Sequence, residues 1–235
     1  MKKILSLSLS LCLVFSLFAA VSSAQEITPK NHVAYSVQVD GVSIKLSDNV
    51  VGKVSQEELK TIARQAQANG GGDVTIHNVV YASPQTERFT PSAWYDTSVD
   101  WSVVKSNITH NNPDPAQLII SVARGASKKL SSSVTKKTTR SVSWSGGVSI
   151  PSGASSKLDA SVTEEESRTY SKEETWTGPS EGSPYITRNY YFTGFRDYGS
   201  FKITGVGWPS GDSYGPYTGT YKEPTHYQEW SQDIK

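Results

Sequence analysis

The chain is poor in the residues that most often carry chemistry. It has one cysteine in 235 residues, Cys12. That residue lies in an apolar stretch near the start, so the remainder holds no disulfide, zinc–thiolate site or cysteine nucleophile. Charged residues make up 19%, with a formal net charge of +1. A balance so near neutral lacks the basic face that neutralises phosphates, which excludes nucleic acid as an expected partner. The four histidines, His32, His77, His110 and His226, are scattered without metal-ligand spacing. They read as surface or packing groups, and neither metal nor cofactor is expected.

Catalytic patterns are also missing. There is no Gly-x-Ser-x-Gly elbow. Ser102-Val103-Val104-Lys105 and Ser47-Asp48-Asn49 match two β-lactamase boxes, but in the wrong order and without Lys-Thr-Gly. Asp40, Asp48 and Asp73 lack the spacing of a calcium loop. Glu164, Glu165 and Glu166 are adjacent, and neighbours on a strand point to opposite faces, so they cannot flank one glycosidic bond. No catalytic residue is assigned, and an enzyme is not expected.

The one long apolar run is at the beginning. Lys2 and Lys3 precede Ile4 to Phe18, and Val21-Ser22-Ser23-Ala24 supplies small residues before Gln25. This is the pattern of a secretory signal peptide over 1–24, cleaved after Ala24. Cys12 is too early for a lipoprotein box. Losing Lys2 and Lys3 takes the net charge from +1 to −1. The expected protein is extracellular, exported by a bacterium, with no later helix to anchor it.

Residues 31–54 alternate as strands, with Val33, Tyr35, Val37 and Val39 before an Asp40-Gly41 turn and Val42, Ile44 and Leu46 after it. Ser55-Gln56-Glu57-Glu58 is a capping box, and Leu59, Ile62, Ala63 and Ala66 then share a helical face up to Gly70. Asp73 to Ala82 reads as a strand. Residues 83–116 read as loop-rich, with Trp94, Tyr95 and Trp101 as packing anchors and Asn111 to Pro115 as a boundary. These features predict an N-terminal α+β lobe at 25–112 with one short helix. An elongated β module at 113–235 follows.

In that module, about two residues in five from Ser121 to Thr177 are Ser or Thr, which favours long thin strands. Residues 185–235 carry 13 aromatics among recurrent Gly and Pro. No internal repeat is present. The expected fold is therefore mainly β, an elongated antiparallel sheet with long Ser/Thr-rich strands.

The informative constellation is centred on Pro151-Ser152-Gly153. Upstream, Val142, Trp144, Gly146, Val148 and Ile150 alternate with hydroxyl residues; downstream, Leu158, Ala160 and Val162 alternate with Lys157, Asp159 and Ser161. A hairpin turning here sets 142 opposite 162 and Arg140 opposite Glu164. Seven basic residues and no acid occupy 115–158, whereas 159–174 hold six acids against Arg168 and Lys172. Opposite charges would then face each other along arms of about 25 residues, fixing the register. Residues 142–150 and 154–162 approach the roughly 9–11 residues of a transmembrane strand. Two readings stand open: a membrane-inserting hairpin, or an elongated sheet whose apolar tip packs on the rest of the protein.

Long Ser/Thr-rich strands around a short alternating hairpin resemble the pore-forming module of aerolysin-type β-pore-forming toxins, over roughly residues 117–206. The resemblance implies secretion, a membrane lipid or cell-surface receptor as partner, homo-oligomerisation and one inserted hairpin per subunit. That hairpin would be 141–163, with Val142, Trp144, Val148, Ile150, Leu158, Ala160 and Val162 facing lipid. Glu174-Thr175-Trp176-Thr177-Gly178-Pro179, with Tyr185, Arg188, Tyr190 and Tyr191, is also similar to small secreted Gram-positive proteins to which no activity attaches. The alternative function is a surface or glycan-binding module without insertion, its sugar-stacking rings drawn from Tyr190, Tyr191, Trp208, Tyr214 and Tyr217.

Overall fold

A computed structural model describes residues 33–82, 98–147 and 149–235. The leader, His32, Trp94, Tyr95 and Val148 lie outside the described residues.

The protein is mainly β, as its composition predicts. Strands β1 (Val33–Val39) and β2 (Val42–Ser47) form the expected hairpin, with Asp40 and Gly41 both at positive φ in the turn. Helix α1 (Gln56–Ala68) starts at the expected capping box: the Ser55 hydroxyl accepts from Glu58 N–H at 3.3 Å, and Glu58 Oε2 accepts from Ser55 N–H at 3.1 Å. The helix is the crossover to β3 (Asp73–Tyr81), which runs parallel to β2. Strand β4 (Ser98–Pro113) follows, then β5 (Gln117–Ala123), β6 (Ser127–Lys129), β7 (Val134–Thr139) and β8 (Ser141–Trp144). A second helix, α2 (Ser152–Ser161), precedes β9 (Glu165–Tyr170) and β10 (Thr175–Thr177). The chain closes with β11 (Thr187–Trp208) and β12 (Ser213–Ile234), each of 22 residues.

The main sheet has the order β1-β2-β3-β12-β11-β4, with β5 added along β11 and β8 along β12. β11 and β12 pair antiparallel from Thr187↔Ile234 to Val206↔Ser213 and form a spine of roughly 70 Å at about 3.3 Å per residue. Because β12 pairs with β3 and β11 with β4, one sheet runs across residue 112.

Of three buried apolar clusters among the described residues, the two that lie under helices sit at opposite ends of this spine, and a smaller one gathers Ile120, Val122 and Tyr190. At one end α1 packs Ile62, Ala63 and Ala66 on Ile44, Val74, Ile76, Tyr191, Phe195 and Trp230. The Trp230 indole stacks on Tyr191 at 4.5 Å and donates to the Thr193 hydroxyl. Gln232 donates to Ala66 O, which also accepts from Gly71 N–H, and to Gly71 O, tying the end of α1 to β12. At the other end α2 covers Trp101, Phe201, Ile203 and Tyr221.

Three expectations are corrected. Residues 98–113 are a 16-residue strand rather than loop, since β4 is a largely exposed edge whose outward face mixes Asp100, Ser102 and Ser106 with an exposed Val104. Asn111 to Pro115 is no linker: Asn111–Pro113 end β4, and the buried Asp114 carboxylate pairs with Arg196. The long strands belong to the aromatic stretch 187–234, where alternate rings have a core to enter. The Ser/Thr-rich stretch forms strands of only three to seven residues and a second helix.

Candidate membrane-insertion segment

β7 and β9 form a separate two-stranded stem over the main sheet, with pairs from Val134↔Tyr170 to Thr139↔Glu165. Arg140 N–H then donates to Glu164 O at 2.8 Å, so these two residues do face each other. The opposed charges partly connect: Lys137 pairs with Glu165 at 2.9 Å, and that bond holds the Glu165 carboxyl below its ordinary pKa. Polar groups tie the stem to the sheet. Thr138 donates to Asp114 at 2.6 Å in a buried bond, Asp114 also holds Arg196, and Gln117 donates to Lys137 O. A Cβ on Gly194 would come within 2.5 Å of the Thr138 Cβ, so glycine permits the close approach. Burial raises the pKa of Glu166.

The segment between the stem strands does not continue as two paired strands. β8 adds to the main sheet instead, with Trp144 opposite Gly219 and Val142 opposite Tyr221. The downstream arm is helix α2, a correction of the strand expected over 154–162. The physical reason lies in the spacing. Ala154 and Leu158 are four apart, fall on one helical face and are fully buried, with Val162 continuing the row as the chain leaves the helix. Ala160 is exposed and Ile150 half-buried. A glycine is needed at 153, where a Cβ would lie 2.4 Å from the Trp101 indole nitrogen.

α2 is a weakly specified helix. Four of its ten residues are serine and one is glycine, and its N-cap is Pro151 with no side-chain cap bond. Electrostatic contacts hold its end. Arg140 pairs with Asp159 at 2.8 Å. Glu223 accepts from Thr163 N–H at 3.2 Å and pairs with Lys105 at 2.8 Å. Lys105 lies over the Tyr221 ring, and burial pushes that phenol up to about 12.

The five rings considered for surface binding separate. Tyr190 and Tyr191 are buried, Tyr190 donating to Thr177 O and Tyr191 packing on Trp230, so neither offers a face to a ligand. Trp208 and Tyr214 are exposed at the β11–β12 turn, and Tyr217 is half-buried beside Trp101.

Among the described residues no group of three His, Cys, Asp or Glu side chains could hold a metal. No described helix is long and apolar enough to cross a membrane, which says nothing of strands. His77 is half-buried, bonded to the Ser231 hydroxyl, and His226 is buried; desolvation depresses each to about 4. His226 stacks on Phe195 at 4.5 Å, 3.6 Å from the buried Glu58 carboxylate, whose own pKa burial raises. Sequence reading missed this pair because its members are 168 positions apart.

No family model matches the chain, and no curated protein matches it. A solved structure from Bacteroides vulgatus, named a putative pore-forming toxin, is similar with a TM-score of 0.32 at 8% identity. The match covers 57% of this chain and 57% of that one. At that distance the likeness carries no argument, and what this chain does rests on its own geometry.

Proposed function

We propose that the chain is a secreted, non-enzymatic protein that acts on membranes, residues 141–163 being an insertion hairpin folded away in the soluble form. The observation that supports this reading is the register of β7 and β9, extended by the Arg140–Glu164 bond. Continued through the insert, that register sets Val142 opposite Val162, Trp144 opposite Ala160 and Gly146 opposite Leu158. Val148 then meets Ser156 and Ile150 meets Ala154, with Pro151, Ser152 and Gly153 at the turn. One face of such a hairpin is apolar except for Ser156, and each arm has the roughly 9–11 residues that span a bilayer.

The spacing of Ala154, Leu158 and Val162 serves both states. Residues four apart lie on one face of a helix and, because four is even, on one face of a strand. Release of α2 and β8 converts the first arrangement to the second. Backbone groups in lipid must all be paired, so the inserted hairpins close into a ring of copies, with membrane lipid or a surface receptor as partner. The burial of Tyr190 and Tyr191 removes two of the five rings from the glycan-binding alternative.

Calcein release from liposomes tests the reading. Purified 25–235 chain is expected to cause leakage and form SDS-resistant oligomers, and Ile150→Asp is expected to abolish both; Ile150 packs half-buried on the core under α2, so circular dichroism of the same samples separates loss of insertion from loss of fold. Undiminished leakage by Ile150→Asp would sink the assignment of 141–163.

A further inference from the structure

The β11–β12 turn carries an apolar surface that neither core uses. Trp208 is 56% exposed and Val206 55%, whereas Tyr214, opposite Gly205, faces the other way onto Trp101. From Phe201 to Trp208 buried and exposed residues alternate strictly, which puts Val206 and Trp208 on the outer face, away from α2. The turn that presents them is a built one. Gly207 N–H donates to Asp212 O and Gly211 N–H to Gly207 O, each at 2.8 Å, and Gly211 takes the positive φ that the turn requires.

Two observations identify the occupant. The first is charge. Residues 203–217 contain one charged side chain, Asp212, so nothing at this tip attracts a polyanion or an anionic headgroup. Asp100 of β4, opposite Val206, adds a second acid and no base, and the exposed Trp208 and Val206 are the amphipathic and apolar side chains that partition at the headgroup level of a bilayer. The second is position. Gly205 pairs with Trp101, the residue on which Gly153 of α2 rests. Ser145, just past β8, donates to Thr218 O. The turn and the insertion segment therefore occupy the same end of the spine.

We infer that Val206 and Trp208 form a docking tip for the interface of a neutral bilayer, distinct from the insertion hairpin and engaged before it. The inference takes its choice of occupant from the membrane reading above, yet it is separable from that reading because docking and leakage are different readouts.

Co-sedimentation of the full secreted chain with phosphatidylcholine vesicles tests it, with leakage scored in parallel. Trp208→Ala and Val206→Ser are expected to weaken vesicle binding by about tenfold or more, as loss of a large buried side chain implies. Their side chains are exposed, so circular dichroism and thermal midpoints stay at parental values. Binding by the parent should change by less than about twofold in 1 M salt. Ile150→Asp should sediment like the parent without leaking. Parental binding by Trp208→Ala overturns the docking tip, as does loss of parental binding in salt. Absence of vesicle binding with Trp208-dependent capture on carbohydrate resin also overturns it. Leakage by Ile150→Asp alongside weak binding by Trp208→Ala overturns the hairpin and leaves the tip standing.

Discussion

The C-terminal spine and the Ser/Thr-rich insert are made from the same kind of strand pairing, yet they are held in opposite ways. β11 and β12 bury aromatic rings along 22 residues each, with β3 and β4 completing the sheet on either side. The β7–β9 stem has six residues per strand and meets the sheet through Thr138, Asp114, Arg196 and Gln117. α2 buries only Ala154 and Leu158 of its ten residues. Apolar burial scales with area, whereas polar contacts exchange for water at small net gain. The chain thus joins a strongly held frame to a weakly held segment.

The largest test of that contrast is in the frame. Trp230→Ala removes a fully buried indole, its stack on Tyr191 and its bond to Thr193. A loss of roughly 3–5 kcal/mol is expected, seen as a fall in the global midpoint of urea unfolding. A local effect confined to one strand would break the comparison. Asp114→Ala comes next. It strands a half-buried Arg196 and the Thr138 hydroxyl, at a cost of roughly 2–4 kcal/mol. The stem should detach first, so limited proteolysis should cut within 127–180 before the frame unfolds.

A smaller, pH-dependent term belongs to the frame alone. His77 and His226 have folded-state pKa values near 4, below the unfolded value of 6.5. The unfolded chain therefore binds protons first as pH falls. Their contribution is complete above about pH 6.5 and is lost progressively down to about pH 4. Glu58, raised by burial, acts in the opposite sense: its share is present below its unfolded pKa of 4.5 and fades as pH rises through the folded value. The histidines outnumber it. The thermal midpoint should drop between pH 7 and 4.5, by roughly 1–3 kcal/mol in stability, and His226→Gln should flatten that slope. The smallest effect sharpens the view of the insert. Ser156 is exposed within α2, and Ser156→Ala adds about 0.5 kcal/mol of helix propensity. Amide exchange across 152–161 should slow about twofold, with the global midpoint unchanged.

Much of the frame's start was legible because its signals are local. Asp40-Gly41 marks a turn, and the Ser55–Glu58 reciprocal bonds need only four residues. Arg140 opposite Glu164 was legible too, because charge blocks and parity around residue 152 leave one register. The helix over 152–161 was not. Ala154 and Leu158 satisfy helix and strand spacing alike, and the choice is made by Trp101, Phe201 and Ile203, which no local pattern links to them. β4 was hidden for a related reason: as an edge strand it keeps few apolar residues, and Asn107 and Asn111 at positive φ break its alternation. Asp114 looked like a linker residue until Arg196 was brought beside it from 82 positions away.

One feature of the frame bears on how the chain is made. The core beneath α1 takes Trp230, Tyr191 and Phe195 from the last 45 residues, while Ile44, Ile62 and Ile76 come from residues that leave the ribosome much earlier. The central β3–β12 pairing joins segments about 150 residues apart. Synthesis proceeds from the N-terminus, and closing so long a loop is slow. The nascent first half must wait, its apolar face incomplete, until the final strand arrives. Such a chain stays pliable until the strand that completes its core has been made.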